Sequence, residues 1–202
     1  MGGITIQAWA LRYREQVAER ASAVLLAATA ARKIPTRSTI LPILDTRFPG
    51  RVLEAEAIFG APVPIPGTAA MHRLFKSCVM SRNASADQVD FVLSIVRSCS
   101  PRVRAATARV LVRLDLGDAA ANLSVPTSVI AGEFDRLLPR VHSEEITAAL
   151  DKAGTLDRFT MLPTGHTVNI EAPEAFNTEL TRVIQVGAAV SRGLRKPGIT
   201  AS

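Results

Sequence analysis

The sequence predicts an α/β fold with about three parallel strands, flanking helices and a large helical insertion. Three runs typical of strands carry this prediction, near residues 22–29, 126–131 and 158–162. Within the first run, residues 23–28 are continuously apolar without alternation, which is typical of a parallel strand buried on both faces. The last two are separated by about the length of one strand–helix–strand unit. We therefore expect them to lie side by side in one sheet.

The stretches between these runs have the pattern of helices. Residues 3–19 are predicted to form a helix that follows the N-terminus, and residues 69–82 form another in the insertion. Ser85 and Gln88 have the spacing of a capping box, which predicts a helix start, and Pro101 occupies the first position of a further helix. Prolines are frequent between Pro35 and Pro66, so short helices and turns are expected there.

Two polar residues follow successive strands and are the candidate catalytic pair. Asp135 comes one short loop after the second run, and His166 comes one short loop after the third. Open α/β sheets place their working groups at this edge, and a carboxylate beside a histidine forms two-thirds of a nucleophile–His–acid triad. The structural alternatives are a polar loop residue for His166 and a turn or helix-capping residue for Asp135.

The residues around this pair resemble a known family. Gly132-x-x-Asp135-x-x-x-Pro139, followed by Gly165-His166-x-x-x-x-Glu171-x-Pro173-Glu174-x-x-Asn177, is similar to the last third of an α/β-hydrolase. That family runs nucleophile, acid, histidine along the chain, so the resemblance implies Asp135 as the acid and His166 as the base. It also implies a partial α/β-hydrolase fold, in which only the C-terminal portion of the family's fold is represented.

The first residues resemble the second half of a nucleophile elbow. Met1-Gly2-Gly3 is similar to the end of Gly-x-Ser-Met-Gly-Gly, with the serine falling one residue before Met1. The resemblance then implies that the backbone N–H of Met1 is an oxyanion-hole donor. It also implies that the chain alone lacks its nucleophile, so we expect no triad-dependent hydrolase activity from it.

The resemblance also implies a division of the chain. Residues 1–31 would be the helix after the elbow and a core strand, and residues 32–123 would be a helical cap over the active site. Residues 124–190 would be the C-terminal core, and residues 191–202 a basic tail. The first strand would present an unpaired edge, at which we expect self-association.

The implied function is that of a serine hydrolase, similar to a carboxylesterase or lipase, acting on small or hydrophobic acyl substrates without a cofactor or metal. Members with epoxide hydrolase, haloperoxidase-like or acyltransferase activity remain alternatives. So does a non-catalytic remnant that binds a partner. His142 is a second histidine in the same region, but we expect it on the solvated face of the helix after Asp135.

Composition excludes several other functions. The 202 residues are 48% hydrophobic and carry a net charge of +6, but arginines are scattered and aromatic residues make up only 4%. A nucleic-acid partner would need clustered basic residues and stacking aromatics, so none is expected. The longest apolar run, residues 21–31, is shorter than the ~20 residues that span a bilayer. With no signal peptide visible, we expect a cytoplasmic protein in which Cys78 and Cys99 are reduced.

Overall fold

The computed structural model describes residues 1–39 and 60–194. Part of the predicted cap, residues 40–59, and most of the predicted basic tail, residues 195–202, lie outside the described residues.

Three parallel strands form the sheet, as predicted. They are β1 (Val24–Ala27), β2 (Thr127–Gly132) and β3 (Leu156–Leu162), in the order β1-β2-β3. β2 lies in the centre and all of its residues are buried. Within the described residues β1 pairs only with β2, so its other edge has no strand beside it.

Helices, joined by loops and turns, make up most of the rest of the described chain. Their bounds are α1 (Gly2–Arg12), α2 (Arg14–Arg20), α3 (Ile34–Arg37), α4 (Ala69–Val79), α5 (Ala86–Ser98), α6 (Pro101–Arg113), α7 (Val141–Lys152), α8 (Val168–Glu171) and α9 (Pro173–Leu194). A 3₁₀ helix at Ala119–Asn122 precedes β2. None of the helices described is long and apolar enough to cross a membrane.

Several local predictions are confirmed and one is wrong. The Ser85–Gln88 capping box is present at the start of α5, and Pro101 opens α6. The single helix predicted over residues 3–19 is instead two helices, because Tyr13 interrupts the helical backbone. The backbone of Tyr13 has φ −138° and ψ 54°, which lies outside the helical region.

The alternation of β1 side chains divides the core between the two faces of the sheet. Val24 and Leu26 pack in a cluster with residues of α1, α2 and α7, while Leu25 and Ala27 contact a second cluster that contains residues of α8 and α9. Helices therefore cover both faces of the strand, which explains why its sequence is apolar without a break.

Candidate active site

The carboxyl ends of β2 and β3 hold the two candidate residues. The loops that follow these strands are joined by backbone hydrogen bonds, from Glu133 N to Leu162 O (2.8 Å) and from Phe134 N to Thr164 O (2.9 Å). Parallel pairing brings both loops to the same sheet edge, as the sequence predicted for Asp135 and His166.

Two glycines allow the loops to approach this closely. A side-chain Cβ at Gly132 would collide with the carbonyl oxygen of Gly165, and one at Gly165 would lie 2.6 Å from the backbone of Met80 and Ser81. The loop that carries His166 is therefore held between the end of β2 and the residues after α4. Any side chain at either glycine would displace it.

Asp135 is fixed by three hydrogen bonds. Its Oδ2 lies 2.8 Å from His166 Nδ1, and its Oδ1 accepts from the backbone N–H groups of Leu137 (2.9 Å) and Leu138 (2.8 Å). Only 2% of its side chain is exposed. The carboxylate is thus buried with both oxygens engaged, which holds it in one orientation toward the imidazole.

His166 is held at one ring nitrogen and open at the other. The Asp135 carboxylate accepts from Nδ1, which places the proton of a neutral ring on Nδ1 and leaves Nε2 as an acceptor. In the part of the chain that the structure describes, Nε2 has no hydrogen-bond partner, and 26% of the side chain is exposed. An imidazole in this state can accept a proton at Nε2.

Glu171 fastens the His166 loop and was given no role by the sequence analysis. Its Oε2 accepts from the backbone N–H groups of Gly165 (3.0 Å) and Ser81 (2.8 Å), and its Oε1 accepts from the Thr167 hydroxyl (2.9 Å). The His166 N–H also donates to Val79 O (2.8 Å). The signal available beforehand was an acidic residue shortly after the His loop, but its backbone partner beyond α4 is distant in sequence.

The start of α1 lies at the same sheet edge. Gly3 packs against Thr29, just after β1, closely enough that a Cβ would lie 2.7 Å from the Thr29 side chain. Met1 precedes this turn, is 63% exposed and accepts a hydrogen bond from Thr5 N at 3.0 Å. The structure therefore brings Asp135 and His166 into contact, whereas Met1 makes no hydrogen bond with either within the described residues.

The expectation that His142 lies on a solvated face is wrong. Its side chain is buried, and both ring nitrogens lack a hydrogen-bond partner in the described structure. His142, Ile146 and Leu150 follow at intervals of four, so they share the face of α7 that packs toward the sheet. Burial lowers the pKa of His142 to about 4, helped by the positive charge of Arg37 and opposed by Glu145 and Asp135.

A cleft of about 990 Å³ lies beside Asp135, the residue that contacts His166. Asp135 and Phe134 line it from the loop after β2, and Met80 and Ser81 line it from the chain that follows α4. The described residues contain no group of three His, Cys, Asp or Glu side chains that could hold a metal ion, and Cys78 and Cys99 are free thiols.

Comparison with known proteins identifies the fold. No known family model and no curated protein sequence matches the chain. Among solved structures, it is similar to a thermophilic esterase from Thermogutta terrifontis, with 21% identity and a TM-score of 0.68 over 93% of this chain and 62% of that one. It is also similar to the enol-lactonase from Burkholderia xenovorans, with 24% identity and a TM-score of 0.56 over 92% and 63%. An α/β-hydrolase enzyme from a deep-sea metagenome library gives 15% identity and a TM-score of 0.58 over 91% and 62%.

These similarities, together with the parallel sheet, show that the chain has a partial α/β-hydrolase fold, as the sequence resemblance predicted. The chain spans just over three-fifths of the length of these structures, 62–63%.

Proposed function

We propose that this chain supplies the acid and the base of a serine hydrolase that acts on ester-like substrates. The observation that carries the proposal is the 2.8 Å contact between Asp135 Oδ2 and His166 Nδ1, with Nε2 left open. The names of two similar structures, an esterase and an enol-lactonase, support this class of reaction.

In the proposed reaction, a serine hydroxyl attacks the carbonyl carbon of the substrate while His166 Nε2 takes its proton. His166 then gives that proton to the leaving alcohol, and a water molecule releases the acyl group by the same two steps. Asp135 holds Nδ1 protonated and stabilises the imidazolium that forms. Its burial and its two backbone donors suit it to a fixed orienting role.

The nucleophile is proposed to be a serine directly before Met1 in a longer form of the protein. The resemblance of Met1-Gly2-Gly3 to a nucleophile elbow supports this, and so does the packing of Gly3 beside Thr29 at the edge that carries His166. The backbone N–H of Met1 would then be one oxyanion-hole donor. As part of the same proposal, the helical insertion at 32–123 is a cap, and the acyl group is small or hydrophobic.

A partner-binding fragment is the second candidate. The edge of β1 that has no strand beside it within the described residues favours this reading, because such an edge offers unpaired backbone groups to another chain. Two results together would favour it over the first proposal: self-association of the 202-residue chain in analytical ultracentrifugation, and an absence of hydrolase activity in the longer form.

The test compares two forms of the protein, the 202-residue chain and a form extended upstream in its own reading frame. We expect the extended form to hydrolyse p-nitrophenyl butyrate, and His166→Ala and Asp135→Asn each to lower kcat by about a thousandfold or more. His72→Ala is the matched control, because His72 pairs with Asp90 and makes no contact with the candidate pair. The 202-residue chain is expected to show no hydrolysis that depends on His166.

Two results would contradict the proposal. An extended form whose esterase activity survives His166→Ala would remove His166 from the chemistry. Esterase activity of the 202-residue chain that His166→Ala abolishes would show that the nucleophile does not precede Met1.

A further inference from the structure

We propose that the cleft lined by Asp135 and its neighbours in the loop after β2 binds an anionic group of the substrate, a carboxylate or a phosphate. The ester cleaved at this site would then carry a negative charge as well as its acyl group. This inference rests on the proposed function, because it names the substrate class of the same site.

The charged side chains that line the cleft are mostly cationic. Four basic residues and two carboxylates take part, namely Arg73, Lys76, Arg82, Arg136, Glu133 and Asp135. Asp135 already bonds to His166 and to two backbone N–H groups, and only 2% of its side chain is exposed. Among the described residues that line the cleft, Glu133 therefore remains as the carboxylate available to offset four positive charges, which gives this lining a positive potential.

None of these cations is neutralised by a carboxylate in the described residues. Lys76 Nζ donates to Ala84 O (2.6 Å), and Arg136 Nη1 donates to Ser77 O (3.1 Å), which leaves their charges uncompensated. Arg73 and Arg82 are exposed, and neither has a hydrogen-bond or ion-pair partner in the part of the chain described. Their guanidinium groups are free to form paired hydrogen bonds with a carboxylate or a phosphate.

Arginines elsewhere in the chain differ in their partners. Some bind carboxylates at short distances, such as Arg37 with Glu145 (2.8 Å) and Arg182 with Asp157 (2.7 Å). Others, such as Arg104, donate to backbone carbonyl groups. The cleft differs from these sites because four basic side chains without a carboxylate partner in the described residues line one cavity that also contains the candidate acid. Mutual repulsion makes such a gathering unfavourable without an anion, and a bound anion relieves it.

The cleft also has apolar lining that suits the rest of such a substrate. Its lining includes the buried Met80, from the chain after α4, and the exposed Phe134, from the loop after β2. An ester with a short apolar chain that ends in an anion would use both kinds of surface.

Binding can be measured on the 202-residue chain without any catalysis. The probes are monomethyl glutarate, which carries one carboxylate, dimethyl glutarate, which is neutral and of nearly the same shape, and methyl phosphate. Titrations followed by backbone amide shifts are expected to show monomethyl glutarate or methyl phosphate binding at least about 10-fold more tightly than dimethyl glutarate. The tighter of the two anions then identifies the group as a carboxylate or a phosphate.

A double variant localises the anion. Arg73→Gln combined with Arg82→Gln is expected to raise the Kd of the preferred anion about 10-fold. The matched control, Arg102→Gln with Arg192→Gln, removes the same net charge from exposed positions of α6 and α9 and is expected to change the Kd less than twofold. Equal binding of the neutral and anionic probes would overturn the inference. An equal rise in Kd for the two double variants would also overturn the inference, because the effect would then depend only on the net charge of the protein. All four arginines are exposed, and thermal unfolding checks that each variant folds.

The extended form separates this inference from the proposed function. Anion binding that persists in His166→Ala, with no ester hydrolysis in the unsubstituted extended form, would support the anion site and overturn the hydrolase proposal. Hydrolysis of p-nitrophenyl butyrate with a kcat/KM equal to that of mono-p-nitrophenyl glutarate would overturn the anion site and leave the hydrolase proposal standing.

Discussion

The two ends of the β2–β3 pair differ in how far the polar and charged side chains there are hydrogen-bonded. At the amino end, Asp157 Oδ2 accepts from the Ser128 hydroxyl (2.6 Å) and from Arg182 (2.7 Å). Arg182 also donates to Ser128 Oγ (2.8 Å) and to Glu179 (3.0 Å), so every charge there has a partner. At the carboxyl end, His166 is held at Nδ1 by Asp135, and within the described residues neither its Nε2 nor the ring nitrogens of the buried His142 have a hydrogen-bond partner.

This difference separates a structural network from a candidate reactive site. The hydrogen bond from Arg182 lowers the pKa of Asp157, supported by the Ser128 hydroxyl, so the group stays ionised and paired with a cation. At the carboxyl end, His166 Nε2 has a lone pair that no group in the described residues uses, and its partner Asp135 lines a cleft. A site for chemistry needs such unused capacity, whereas a network that holds a sheet to a helix does not.

The largest effect is expected from filling the space between the loops of the carboxyl end. Gly132→Ala would drive a methyl group into the Gly165 carbonyl, so we expect it to lower the free energy of unfolding by more than about 3 kcal/mol, measured by urea denaturation. Gly193→Ala is the control, because nothing lies within 4 Å of its Cβ position in α9. The control should leave stability unchanged or raise it by up to ~1 kcal/mol. Equal stability of the two variants would show that the loops are not in contact.

The buried His142 is expected to make the carboxyl end sensitive to acid. Its pKa is about 4 in the folded chain, below its ordinary value of 6.5, so the unfolded state binds more protons between these two values. Stability should therefore fall as the pH drops from about 6.5 to 4, by as much as about 3 kcal/mol. His142→Leu should flatten this part of the pH profile, while His72→Ala should not. A wild-type free energy of unfolding that does not change over this pH range would mean that His142 is exposed to solvent.

A smaller effect is expected from loosening the His166 loop. Glu171→Gln keeps the size of the side chain but replaces a charged acceptor of three hydrogen bonds, so it should cost about 1–2 kcal/mol of stability. It should also speed the hydrogen exchange of the Ser81 and Gly165 amides. Glu174→Gln, in the exposed first turn of α9, is the matched control and should change stability by only a few tenths of a kcal/mol. Unchanged amide exchange in Glu171→Gln would mean that the loop is held by other contacts.

The smallest effect is expected at the hydrogen-bonded network of the amino end, in which Arg182 bonds to Asp157, Ser128 and Glu179. Arg182→Met should lower stability by about 1 kcal/mol at pH 7, because Arg182 lies partly in solvent and its stem still packs. Since Asp157 has a lowered pKa in the folded chain, its contribution is present above its ordinary pKa of 3.8 and is lost as the pH falls below that value. The acid-induced loss below pH 4 should shrink in Arg182→Met. A larger loss of stability than in Gly132→Ala would reverse the comparison between the two ends.

The sequence was sufficient to predict the strands and the position of the candidate pair. Apolar runs that end in a glycine or a proline, each followed by a polar residue, determine where a parallel strand stops and what stands at its end. Asp135 and His166 could be placed together for this reason, since both loops follow adjacent strands.

Other features depend on contacts that no local pattern encodes. The role of Glu171 depends on the backbone of Ser81, 90 positions away in the sequence. The burial of His142 depends on which face of α7 meets the sheet, although its spacing from Ile146 and Leu150 was a usable signal. Three of the four cations of the cleft, Arg73, Lys76 and Arg82, lie on or just after α4, but Arg136 comes from the loop after β2 and joins them only when the chain is folded.

The long-range bonds of the His166 loop have a consequence for the order of folding. Strands β2 and β3 can pair through a short crossover, but the His166 N–H can bond to Val79 O only after the helical insertion has docked. The candidate base should therefore acquire its final position late, and the amides of Ser81 and His166 should become protected from exchange only after those of β2. Pulse-labelling during refolding would detect that delay as a separate, slower step.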